Sequence, residues 1–259
     1  MAGAKLKGRE VVGSDAPVLA MAKGFGRYKP EEEKPVRKVE VSGDELSYLR
    51  RRREMLRSMT VEQILQVIEF HKDLNVFQAL KLAKKQGKFI VPNYILDRIL
   101  TETGKRHNAW TGTAVIYETP DKPFAEKVVY SWDDANVQYF VTFEVPQPFR
   151  GKTNCILVVE HPDFDIVSLG DNNFQLKAAE GSVSLLERFP KKRGDWYGYD
   201  KTFRIPVGRP KQTGDSSRRL WRVNYEYVGL VSLDCRDYGG RRGVDLNYAP
   251  SLAFGVALF

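Results

Sequence analysis

His71, His107 and His161 are the only histidines in this 259-residue chain. They fall in three different local settings, and none has a second ligand at a metal-binding spacing, so each reads as a surface or half-buried side chain. The acidic stretch Asp163, Asp165 and Asp171 could offer carboxylate oxygens to a hard cation. It lacks the spacing and the closing Glu of a calcium loop, and no metal is expected there. Cys155 and Cys235 are too few for a disulfide framework and too far apart in sequence for a metal knuckle. The sequence holds no glycine-rich phosphate loop, no Gly-x-Ser-x-Gly elbow and no compelling carboxylate pair. The expectation is a protein that is not an enzyme and uses no cofactor.

Basic residues raise a different chemistry. Clustered guanidinium groups such as Arg50-Arg51-Arg52-Arg53 can pair with phosphates, and the helical stretches Phe77 to Gln86 and Asn93 to Thr103 could form a helix-turn-helix. Against this, four successive helical residues point in different directions, and Asp44, Glu45 and Glu54 lie close by. A solvated helix or a contact with a partner subunit is the better reading. The Lys88 to Val91 connection looks ordinary, and few basic residues decorate the second helix. The formal charge of +8 is uneven: residues 1–104 carry 20 Lys+Arg against 14 Asp+Glu, and the remainder 21 against 19. Weak polyanion binding, if any, is expected in residues 1–108 and should fade with salt.

The segment from Arg218 to the terminus is richer in recognition chemistry. Asn224, Tyr225, Tyr227, Asp237, Tyr238, Asp245, Asn247 and Tyr248 are interleaved with short apolar stretches. Tyrosine offers a large amphipathic area with few rotors, and Asn and Asp offer adaptable hydrogen bonds, so these eight are the candidate ligand-binding residues. The plainer alternative is a tyrosine-rich sheet whose rings simply pack.

The elements that must position these residues divide the chain. Residues 1–41 show little periodicity and read as an extended arm. Residues 42–108 read as a small bundle of four short helices. Ser42 or Asp44 caps the first; Thr60 and Gln63 have capping-box spacing for the second, whose face continues through Ile64, Leu65, Ile68 and His71. Asn75 to Gln78 repeats the device for the third, which Gly87 ends, and Pro92 starts a fourth that stops at Gly104. After Trp110 the period changes. Thr113 to Glu118, Lys127 to Trp132, Val137 to Val145, Cys155 to Glu160 and Asp165 to Leu169 read as strands, with Asp133 to Asn136 as a hairpin turn. Phe174 to Phe189 reads as a helix interrupted by Gly181. Thr202 to Val207, Leu220 to Val223, Tyr227 to Leu233 and Phe254 to Leu258 read as strands again. This is an α+β chain, with residues 109–259 as a β-rich unit expected to survive proteolysis as a stable fragment.

The order Leu220-Trp221-Arg222, Val228-Gly229, Arg241-Arg242, Asn247-Tyr248, Pro250-Ser251 and Phe254-Gly255-Val256 near the terminus resembles the variable proteins of diversity-generating retroelements. The similarity is to the type found in bacteria of the candidate phyla radiation. It implies a C-type lectin-like fold whose C-terminal region is rewritten by adenine-directed mutagenesis. It also implies that Trp221, Arg222, Gly229, Pro250, Phe254 and Gly255 are fixed scaffold, while the eight candidate residues are displayed. The calcium-dependent sugar motifs Glu-Pro-Asn and Trp-Asn-Asp are absent, so the expected partner is an unknown protein or glycan. Homo-oligomerisation through the arm and helices is compatible with this reading; nucleic-acid binding by the basic arm and bundle, and a capsid-like structural role, are the alternatives. No apolar run has the length of a membrane span, and Met1 to Ala20 lacks a signal-peptide core, so a soluble, cytoplasmic protein is expected.

Overall fold

The computed structural model describes residues 43–72, 74, 76–104, 109–118, 122–134, 137–187, 198–208, 227–233 and 255–259. The fold is α+β, with helices α1 (Gly43–Ser58), α2 (Val61–Val67), α3 (Val76–Lys85) and α4 (Asn93–Thr103) packed on two sheets. Ser42, Asn75 and the strand expected at Leu220 to Val223 lie outside the described residues.

Local chemistry sets the helix ends. Thr60 Oγ1 accepts from the Gln63 amide at 3.3 Å while Gln63 Oε1 accepts from the Thr60 amide at 2.8 Å, forming the capping box ahead of α2. Pro92 precedes the first turn of α4, and Gly104 ends that helix in the left-handed region at φ 65°. His71 does not continue α2. Ile68 already has extended backbone, and Glu69–Lys72 forms strand β1, because the chain turns there to pair with the C-terminal strand.

The larger sheet runs β1-β12-β2-β5-β8, comprising β12 (Gly255–Leu258), β2 (Ala109–Tyr117), β5 (Ile156–Glu160) and β8 (Ser184–Leu186), with β11 (Tyr227–Leu233) also paired to β2. The smaller runs β3-β4-β7-β6, comprising β3 (Lys127–Asp134), β4 (Val137–Glu144), β7 (Asn173–Ala178) and β6 (Phe164–Gly170). Strands β9 (Gly198–Tyr199) and β10 (Pro206–Gly208) pair separately.

Two expectations give way here. Phe174 to Phe189 is not a helix: Phe174 and Leu176 alternate toward the core along β7, Gly181 takes φ 69° in the turn, and β8 follows. Thr202 to Arg204 is not strand, because the Asp200 carboxylate gathers the amides of Thr202, Phe203 and Ile205 into a turn.

Every residue of β2 is buried, since both its faces are covered. Trp110, Ala114 and Ile116 meet Val128, Val141, Phe143, Ile166 and Leu176 of the smaller sheet, with α3 completing that core. On the opposite face Val115 and Tyr117 pack with Ile156, Val158, Phe203 and Ile205. Helices α1, α2 and α4 share a further cluster with Ala109, Ala257 and Phe259. The helices therefore have no core separate from the sheet. At the start of α4 the Asn93 amide donates to Thr113 Oγ1 at 2.9 Å, satisfying one of the orphan donors of a helix N-terminus. The Asn93 side chain donates to the carbonyls of Phe203 and Arg204, fixing the turn before β10.

The Lys88 to Val91 connection is not an ordinary inter-helix turn. Phe89, Ile90 and Val91 are fully buried, Phe89 exchanges two backbone hydrogen bonds with Phe259, and the Val91 amide donates to Ala257. A helix-turn-helix leaves its second helix open to a groove, whereas seven residues of α4 are buried here.

Candidate functional site

The C-terminal segment is tied to the sheet at two described places. Strand β11 runs antiparallel along one edge of β2, from Tyr227 opposite Tyr117 to Leu233 opposite Ala109. Strand β12 returns parallel on the other edge, with Gly255 opposite Ala109 and Val256 opposite Trp110. Leu233 and Gly255, the described residues on either side of 234–254, are thus both paired with one residue, Ala109. Asp237, Tyr238, Asp245, Asn247 and Tyr248 belong to that span, and their own placement lies outside the described residues. Asn224 and Tyr225 also lie outside, and they lead into β11 at the Tyr117 end. The two ends of β2 are about 27 Å apart at roughly 3.4 Å per residue, so the described residues Tyr227 and Leu233, next to which the other candidates lie in sequence, sit at opposite ends of that strand. Of the expected scaffold residues, Gly229 and Gly255 sit in strands opposite Val115 and Ala109, while Trp221, Arg222, Pro250 and Phe254 lie outside.

Beside the β12 anchor lies a cluster of charged groups. Arg50, Arg53 and Arg57 recur at helical spacing and share one side of α1, which presses on the turn after β5. Arg50 pairs with Asp163 Oδ1, and Arg53 donates to Asp163 Oδ2 at 2.8 Å and to the Glu160 carbonyl at 3.2 Å. Arg57 reaches Glu160 Oε2 at 3.3 Å and stacks 4.5 Å from the Tyr94 ring centre. Arg52 lies over the Phe259 ring at 4.3 Å. The arginine run is therefore neither a free solvated face nor in need of a partner subunit to balance it: its acceptors are in its own chain, and Arg51 is its outward member.

Burial pushes the Glu160 carboxyl up to about 7, against the Arg53 and Arg57 guanidiniums, which pull it down. Burial also holds His161 neutral, with its pKa lowered to about 3; Nδ1 accepts from the Ile90 amide at 3.2 Å. Tyr94 is raised by burial to about 12. A carboxyl titrating near neutrality is what acid–base catalysis requires. Glu160, however, is only 6% exposed and lies under the α1 arginines.

The acidic stretch is likewise engaged. Both Asp163 oxygens face guanidiniums, Asp165 accepts its own neighbour's amide and lies 3.8 Å from Lys84, and Asp171 occupies a turn. Among the described residues no group of three His, Cys, Asp or Glu could hold a metal ion. His71 lies 3.7 Å from Glu69, and Cys155 is a buried free thiol that burial makes less acidic. His107 and Cys235 lie outside the described residues. No described helix is long and apolar enough to cross a membrane.

The i, i+3, i+7 spacing of Arg50, Arg53 and Arg57 is the signal in the sequence for this cluster. Its counterpart, the Glu160 to Asp163 turn, lies over a hundred residues away and carries no local mark. Comparison with known protein families, curated protein sequences and solved structures finds no match to this chain.

Proposed function

We propose that this chain is a non-enzymatic binding protein that displays a variable ligand-contacting surface on its C-terminal segment. In this reading it is a variable protein of a diversity-generating retroelement, with a small N-terminal helical bundle and a C-type lectin-like scaffold. The observation that carries the proposal is the double attachment at Ala109. A segment dense in Tyr, Asn and Asp is bounded on both sides by strands of a sheet whose central strand is wholly buried. Such an arrangement favours sequence change between the anchors, because substitutions away from the core usually move stability by within about 0.5 kcal/mol. The ligand is a protein or a glycan, met by rigid aromatic anchors and adaptable polar groups.

Two measurements test this. Sequencing the locus should reveal a near-identical downstream copy of the 3′ end, differing mainly at adenines, beside a reverse transcriptase gene; a locus with neither overturns the assignment. Alanine variants at Asp237, Tyr238, Asp245, Asn247 and Tyr248 should melt within roughly 2 °C of the parent. Trp221→Ala should lose the roughly 3–5 kcal/mol typical of a buried aromatic. Tyrosine variants that melt as early as Trp221→Ala would make those rings core residues and end the display reading.

A further inference from the structure

The smaller sheet turns one face to the core, where Val128, Val141, Phe143, Ile166 and Leu176 are buried. Successive side chains of a strand alternate between faces, so the residues between these make up a second, outward face, and the register aligns them in rows across the four strands. Lys127 of β3 is opposite Glu144 of β4, and Lys177 of β7 is opposite Asp165 of β6. Strands β4 and β7 run parallel with Phe143 beside Leu176, which sets Glu144 beside Lys177 one step further on. One row therefore reads Lys127, Glu144, Lys177, Asp165, and its charge alternates from edge to edge. The adjacent row reads Val129, Thr142, Gln175, Val167. Two of the six large apolar side chains most exposed among the described residues, Val129 at 41% and Leu169 at 60%, lie on this face.

Opposite charges on neighbouring strands commonly pair within their own sheet. Here Glu144 Oε1 instead accepts from Gln175 at 3.1 Å, and Asp165 lies 3.8 Å from Lys84 of α3. Lys127 and Lys177 are exposed and form no ion pair among the described residues. The row is complementary to its own reverse. A two-fold axis parallel to the strands, passing between β4 and β7, lays a second copy face to face with its row running backwards. Lys127 then meets Asp165 of the second copy and Glu144 meets Lys177, so all four charges face their opposites. The same operation brings Val129 onto Val167 and Thr142 onto Gln175. It also keeps the strands of the two sheets aligned, as sheets packed face to face about 10 Å apart require.

We propose that the outward face of the smaller sheet is the contact of a symmetric homodimer of this chain. A two-fold contact uses the same patch on both copies and closes at two, so it builds a dimer and no larger array. Four strands about 4.8 Å apart and five residues at about 3.4 Å each make a patch roughly 19 Å by 17 Å. That is at the small end of specific interfaces, so the dimer is a weak one, with a Kd on the order of 10 µM. Opposed like charges would cost more than opposed unlike charges gain, so the row fixes the register of the two copies more than it sets their affinity. The contact uses neither the helices nor residues 234–254, and it does not depend on whether that segment binds a ligand.

Sedimentation velocity of the full chain tests this, and from about 1 to 200 µM the monomer should give way to a dimer. Glu144→Lys sets lysines against each other across the axis, and Lys177→Glu does the same with carboxylates. Either variant alone should dimerise at least about tenfold more weakly than the parent. An equal mixture of the two variants restores opposite charges at every contact and should dimerise like the parent, a repair that no local damage to the fold would allow. A parent that stays monomeric overturns the proposal and leaves the face to solvent or to another segment of its own chain. Single variants that dimerise like the parent, or a mixture that stays monomeric, overturn it as well. Should a variant fail to fold, zero-length carbodiimide cross-linking of the parent decides. Lys127 and Asp165 stand on opposite edges of the sheet, about 14 Å apart in one chain, so a direct bond between them forms only across the dimer. That bond in the dimer fraction supports the proposal, and its absence there refutes it.

Discussion

Deleting residues 256–259 is expected to abolish cooperative folding. Val256, Ala257, Leu258 and Phe259 are all buried, and β12 is wedged between β1 and β2. Three of these side chains are large apolar groups, each stabilising by about 1.5–3 kcal/mol when fully buried. Their removal also strands the backbone groups of Phe89, Val91 and β1 that pair with the lost strand, at about 1–3 kcal/mol for each one left buried without a partner. Together these losses match or exceed the roughly 5–15 kcal/mol by which domains are stable. Circular dichroism of the truncated chain should show a broad, non-cooperative melt. A sharp transition within a few degrees of the parent would mean that β12 is dispensable. The same packing bears on a fragment beginning at residue 109, which the change of sequence period suggests is independent. Such a fragment keeps β12 but loses Phe89, Val91 and Ile95, against which that strand packs, so it should be loosely folded.

Gly112→Ala is expected to be the most damaging single-methyl addition in the described chain. A Cβ at Gly112 would lie 2.0 Å from the Ile90 carbonyl oxygen and 2.8 Å from its carbon, distances that real Cβ atoms do not adopt. The obstacle is backbone, so no side-chain rotation relieves it. Gly112 is held on two sides, its amide donating to Val91 at 2.8 Å and its carbonyl accepting from His161 at 2.7 Å. Making room must therefore part β2 from the 89–91 connection or from the turn that carries Glu160. A loss of about 3 kcal/mol, at the upper end of ordinary overpacking, should lower the melting temperature by roughly 10 °C. Gly43→Ala is the control: a methyl group there, at the start of α1, would have nothing within 4 Å, and its melt should be unchanged. A Gly112→Ala protein that melts with the parent would show that the strand and the connection can separate freely.

How much of the fold is legible in the sequence follows how local each signal is. The Thr60 capping box, the Gly104 stop and the β3–β4 hairpin each depend on residues within a few positions, and each stands as expected. The sequence misleads where distant partners decide. Glu69 to Lys72 reads as a helix continuation because its strand partner is about 185 residues away. Phe174 to Phe189 reads as a helix because its apolar residues fit either period until β4 and β6 flank it. The arginines of α1 are visible as a run, but their acceptors at Glu160 and Asp163 are not, since tertiary pairing leaves no periodic trace. Of the eight candidate ligand residues, only Tyr227 falls on a described element, at the start of β11.

The shared register at Ala109 also bears on length. Leu233 and Gly255 flank one residue from opposite edges, so the two ends of the intervening segment are separated by about two inter-strand spacings, roughly 10 Å. That gap is set by hydrogen-bonded strands and does not depend on how many residues cross it. For a flexible connection, closing the ends costs only about 0.6 kcal/mol more for each doubling of length. If the display reading holds, changes of length or sequence among the displayed positions between residues 234 and 249 are therefore expected to leave the two attachment strands in place, and a chosen peptide could be carried there on an unchanged framework.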